Sequence, residues 1–267
     1  WLKTNLGGKP LRALALMGES AGAIGVQVWA QTLLKELRYE KASVLADSYA
    51  AVFPKGFQGP VFKSLGVCET GIFKQPHLLS LCRDANITVA DVFDQAILAF
   101  PNVTFAMINS KYDAGQIVFD GLASTAIGQL PHSPQDYNRE MLSIMRRYNR
   151  HPNFVSYLVS SNIHVFSNGY LSFKRISDTA TVQKEYGSQL SLVWGDRKQA
   201  LVENYFSTSN GLLDWVAKLP LGPGESIGSH CQFLDARHLA AVDRYPVKSD
   251  YCDPELSNKV FRVPLRE

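Results

Sequence analysis

The chain has 267 residues, 46 % of them apolar. That is enough for a sizeable core and suits one α/β domain, since such domains often run to about 250 residues. Its formal net charge of +3 gives no ground for expecting nucleic acid or an anionic membrane as partner, and it lacks the run of roughly 18 apolar residues that crossing a bilayer requires.

The first predicted element is a buried strand over residues 11–17. It leads into Gly18-Glu19-Ser20-Ala21-Gly22 and then a helix that places Ile24, Val28, Leu33, Leu34 and Leu37 at helical spacing. Strand, Gly-x-Ser-x-Gly and helix together have the form of a nucleophile elbow, in which a serine sits on a sharp turn. Side chains at positions 18 and 22 are expected to collide with neighbouring backbone, which glycine avoids. The same pattern also fits an ordinary glycine-rich strand-to-helix turn. Trp29 on the helix reads as a core residue.

A short buried strand over 42–46 ends in Asp47-Ser48, where Asp47 is read as a buttress of the elbow, with the acid of a catalytic triad as its alternative role. Residues 54–87 carry four glycines and three prolines among short apolar pieces, and read as a loop-rich insertion with short helices. Helical spacing returns at Val89, Val92, Phe93, Ile97 and Leu98. A strand over 103–108 follows, leaving through Asn109 to Asp113 into a helix marked by Ile117, Val118 and Leu122. Pro134 opens a helix to about Tyr148, and Arg146, Arg147 and Arg150 near its end suit the helix dipole as a solvated face. A strand over 154–159 exits through Ser160 to His164. Residues 167–190 are polar and irregular, and 212–219 form a last helix closed by Pro220, with Asp214 and Trp215 read as packing residues. Alternation of strands and helices predicts an α/β fold: a mainly parallel sheet with helices on both faces. Residues 1–220 read as the main domain and 221–267 as a tail.

The four cysteines fall into two local groups, with neither a Cys-x-x-Cys nor a zinc spacing. Two short-range disulfides are expected, Cys68–Cys82 and Cys231–Cys252, against the alternative of four buried thiols. Closing a loop of about 15 residues contributes roughly 3 kcal/mol in the chain-entropy model. Sequons at Asn86 and Asn102 point the same way, to glycosylation in a secreted or lumenal protein.

Ser20, Asp113 and His164 each lie just past the C-terminal end of a predicted strand, where sites gather in open α/β sheets. Their chain order is that of α/β hydrolases. Histidine would take the serine proton, aspartate would fix the imidazole tautomer, and the Ala21 N–H would help hold an oxyanion. His230, in Ser229-His230-Cys231, is the alternative base. His77, His132, His151 and His238 read as surface or locally hydrogen-bonded groups.

Gly18-Glu19-Ser20-Ala21-Gly22, the strand ending in Asp47-Ser48, and above all Asn109-Ser110-Lys111-Tyr112-Asp113-Ala114-Gly115-Gln116-Ile117 resemble the pectin acetylesterase and Notum family. The likeness extends through Phe154–His164 to Gly211–Val216, so it covers residues 1 to about 220. It implies an α/β-hydrolase-like fold and a serine carboxylesterase that removes acyl groups, acetyl foremost, from extracellular glycans without metal or cofactor. Three departures stand out. Ala23 and Tyr49 occupy positions where the family has glycine, and the family's Gly-Gly-x-x-Cys loop, a source of an oxyanion-hole amide, has no counterpart before the elbow. The family's first strands are also lacking. The chain starts at Trp1 without methionine, so either a preceding segment or a partner chain is expected to cover the sheet edge, which proteins avoid exposing. The competing reading is a catalytically idle member that serves as a structural or interaction module.

Overall fold

The computed structural model describes residues 2–5, 8–160, 164–166, 212, 214–231 and 252–265. After a single helical turn, α1 (Leu2–Asn5), come β1 (Leu14–Glu19), α2 (Ala21–Glu36) and β2 (Ala42–Asp47). The insertion holds α3 (Gln58–Ser64) and α4 (Pro76–Arg83), and is followed by α5 (Val89–Ala99) and β3 (Thr104–Ser110). Next are α6 (Ala114–Ala126), α7 (Pro134–Asn149) and β4 (Phe154–Val159), then β5 (Ser226–Gly228), β6 (His230–Cys231), α8 (Pro254–Ser257) and β7 (Val260–Arg262).

The fold is α/β. Five strands form one parallel sheet in the order β1-β2-β3-β4-β6. Strands β2, β3 and β4 are buried along their whole length, which is why they read as continuous apolar runs and not as alternations. On β4, Phe154 and Leu158 face one core with α2, α5 and α7, whereas Val155, Tyr157 and Val159 face another. That second face is covered by Leu212 and Trp215, by Ile227 of β5 and by Phe261 of β7. β5 and β7 pair antiparallel.

The segment from 221 onward is thus woven into the domain. Its described residues supply β6 of the sheet and, with Leu221, Ile227, Phe261 and Val263, part of the second core. Trp215 stacks edge-on against Tyr157, and its indole N–H donates to Gly228 O. Both expected disulfides are present, Cys68–Cys82 inside the insertion and Cys231–Cys252 joining β6 to the start of α8. Such bonds are typical of proteins that fold in oxidising compartments. Asn86 and Asn102 are exposed. Among the described residues no helix is long and apolar enough to cross a membrane.

Three sequence expectations need correction. Trp29 is 49 % exposed and is no core residue; Met17 on β1 is likewise 42 % exposed. Met17 belongs to β1, which pairs with β2 as its one strand neighbour among the described residues. The arginines ending α7 are more than a solvated face. Arg147 donates to Asp91 and Asp94 of α5, and Arg146 to Asp253 at the cap of α8. Periodicity also overstated burial on two helices, since Leu98, Val118 and Leu122 are exposed.

Candidate active site

The elbow begins with a strand that runs on through Gly18 and Glu19, so the turn is made by Ser20 alone. Ser20 has φ 52° and ψ −120°, a conformation that costs a non-glycine residue on the order of 1–3 kcal/mol and persists only where neighbours impose it. Those neighbours are identifiable. Its N–H donates to Asp47 O at 3.0 Å, and its carbonyl accepts from Ala23 N–H at 2.9 Å. A Cβ at Gly18 would overlap the Gly22 carbonyl and stand 2.9 Å from Ala23 N, whereas one at Gly22 would meet open space. Only the first glycine of the motif is therefore demanded by close approach, contrary to the expectation for both. Ala21 opens the 16-residue helix α2, so its N–H belongs to the positive end of a helix dipole aimed past Ser20.

Asp113 follows β3 and caps α6. Its carboxylate is fully buried, and its Oδ1 accepts from Gln116 N–H at 2.9 Å. The Gln116 amide donates to Asp113 Oδ2 at 2.8 Å and to Asn109 Oδ1 at 2.7 Å, while its oxygen accepts from Ala50 N–H at 2.8 Å. The carboxylate is held rigidly by this network, with one side left for a further donor.

His164 fills that side. Its Nδ1 lies 2.8 Å from Asp113 Oδ1 and 3.1 Å from Oδ2, and its Nε2 lies 2.7 Å from Ser20 Oγ. A carboxylate only accepts, so Nδ1 carries the proton and Nε2 presents its lone pair to the serine hydroxyl. The imidazole side chain is 24 % exposed against 0 % for the Asp113 side chain, and Ser20 is half-buried. Burial pulls the His164 pKa down, but the Asp113 hydrogen bond and the charges of Asp113 and Asp47 outweigh it, and the net shift is upward.

Gly115 is a participant that sequence reading missed. A Cβ there would stand 2.5 Å from His164 Cγ and 2.9 Å from Nδ1. The imidazole thus lies flat against the first turn of α6, and the only available signal was a glycine two places after the acid. The side chains of Asp47 and Ser48 turn toward the histidine segment, while Asp47 supports the elbow through its backbone carbonyl.

The alternative base His230 is not part of this group. It sits on β6, beside Tyr157 of β4, with ring centroids 4.4 Å apart. Among the described residues β6 and β1 stand at opposite ends of the sheet, separated by four strand spacings or roughly 19 Å. His132 and His151 make local pairs with Asp120 and Asp94, and His238 lies outside the described residues. Among the described residues no group of three or more His, Cys, Asp or Glu side chains could hold a metal ion. No protein-family model matches the sequence, and neither curated proteins nor solved structures give a match.

Proposed function

We propose that the protein is a serine carboxylesterase of the α/β-hydrolase type that works through Ser20, His164 and Asp113. One observation carries the reading: a serine on a strained elbow, 2.7 Å from a histidine whose other nitrogen is 2.8 Å from a buried carboxylate. The three come from the ends of separate strands and are up to 144 residues apart in the chain. Ser20 Oγ attacks the ester carbonyl as its proton passes to His164 Nε2, and the Ala21 N–H faces the charge that develops on the carbonyl oxygen. His164 then returns the proton to the departing alcohol, and water releases the acyl group by the same steps in reverse order. No cofactor enters this scheme. The acyl group and carrier, acetyl on an extracellular glycan, rest on the family resemblance, as does secretion, to which the two disulfides add support.

Labelling with an alkyl fluorophosphonate tests the reading. Peptide mapping is expected to place the adduct on Ser20, with a rate that rises with pH. The working form has neutral His164, and its pKa is shifted upward, so the midpoint is expected above the ordinary histidine value of about 6.5. An adduct elsewhere, or none, would remove Ser20 as nucleophile.

Gly115→Ala should separate alignment from folding. The added methyl must push the imidazole out of line, and misplacement by about 1 Å can cost on the order of 10²-fold in rate. A folded variant with such a loss in kcat is expected; wild-type kcat would show that the ring has other room.

The second reading, an idle module, draws on the outer edge of β1, a strand that carries exposed Met17 and has β2 as its one strand neighbour among the described residues. A neighbouring segment or partner chain is the occupant this reading needs. The labelling experiment divides the two readings.

A further inference from the structure

Asp47 and Ser48 end β2 with both side chains fully buried, and the triad as described uses neither. Ser48 Oγ donates to Asp47 Oδ1 at 2.7 Å and accepts from Val165 N–H at 2.8 Å. Asp47 Oδ2 accepts from Phe166 N–H at 2.9 Å. Two consecutive amides immediately after His164 are therefore fixed by two adjacent side chains. Both ends of the contact adopt left-handed backbone, with Ser48 at φ 58° and Val165 at φ 71°. For a β-branched residue such as valine that is an outlier which surroundings must enforce. Ser48 is itself anchored, because its N–H donates to Ile108 O of β3.

We propose that Asp47 and Ser48 form a positioning pair for His164, gripping the backbone of residues 165–166 and setting a second carboxylate near the imidazole. The inference rests on the triad reading above. Neither residue is assigned a contact with substrate; they act through the histidine. Asp47 holds the nucleophile with its carbonyl and the base with its carboxylate, so one residue sets the distance between the two. Among the described residues the charged groups acting on the imidazole are Asp113 at the start of α6 and Asp47 at the end of β2. Ser20 and Gly115 face it uncharged.

The test is the rate of fluorophosphonate labelling against pH, with thermal melts, for the wild type, Ser48→Gly and Asp47→Asn. Glycine adopts φ 58° without strain, so Ser48→Gly removes the hydroxyl while keeping the backbone. It is expected to melt close to the wild type and to label about 10-fold more slowly or worse. Asp47→Asn removes a negative charge that favours the imidazolium, so the neutral base persists to lower pH. Its acid limb is expected to move to lower pH along with the loss of rate, a displacement that a purely structural role would not cause. Wild-type labelling rates in a folded Ser48→Gly, or an unmoved limb in Asp47→Asn, would overturn the proposal. Loss of cooperative folding in both variants would also overturn it and assign the pair to the fold. A wild type that does not label at all would instead defeat the triad reading from which the inference starts.

Discussion

Ser20→Ala is expected to lower kcat for a short acyl ester by on the order of 10⁴- to 10⁶-fold, the loss seen when a member of a serine triad is removed. The size follows from cooperation within the site. Without Oγ, the lone pair of His164 Nε2 has no proton to take, and Asp113 orients a base that has nothing to act on. The fold should survive. The elbow is held by the backbone bonds from Ser20 N–H to Asp47 O and from Ala23 N–H to Ser20 O, which alanine retains. The measurement is turnover together with a thermal melt. A well-folded Ser20→Ala protein with undiminished turnover would end the esterase mechanism proposed for this site.

Gly18→Ala is the second large effect, and here stability goes with activity. The new Cβ would overlap the carbonyl of Gly22, backbone inside the first turn of α2 and not a side chain that can swing away. Either β1 or the start of α2 must shift, and both carry Ser20. Overpacking of this kind typically costs about 1–3 kcal/mol and sometimes more; an overlap with fixed backbone places Gly18→Ala at the upper end. Labelling of Ser20 should fall with it. Gly22→Ala is the matched control, since its Cβ meets nothing within 4 Å. A denaturant midpoint that drops for Gly18→Ala and holds for Gly22→Ala is the expected pair of results. Equal effects would mean that the motif, not the close approach, explains the glycines.

That contrast shows what the sequence could and could not reveal. Both glycines belong to the same five-residue motif, but only the crossing of strand and helix decides which one is pressed. The four principal strands were legible because buried parallel strands announce themselves as apolar runs bounded by polar turns. Ser20, Asp113 and His164 were legible as a candidate site because each comes within five residues of the end of such a run. β6 was not, for a two-residue strand has no periodicity to read, and its place beside β4 is fixed by long-range packing. Trp29 misled because helical spacing locates a face without saying whether anything covers it. Arg146 and Arg147 misled because their partners, Asp253 and Asp91, lie 107 and 56 residues away. Gly115 and Ser48 were visible only as parts of local motifs, since their contacts with His164 and Val165 join segments far apart in the chain.

The order of strands across the sheet carries a consequence for how the proposed site comes together. From β1 through β4 each strand lies beside the one before it in the chain, so the sheet can grow outward as the polypeptide emerges from the ribosome, domains being able to form from the N-terminal end during synthesis. Ser20 and Asp113 are set in place by β1 to β3. His164 arrives only after β4, which on its other side pairs with β6, tied down by Cys231–Cys252. On the mechanism proposed above, a nascent chain would therefore hold Ser20 without its partner His164 until β4 has been made.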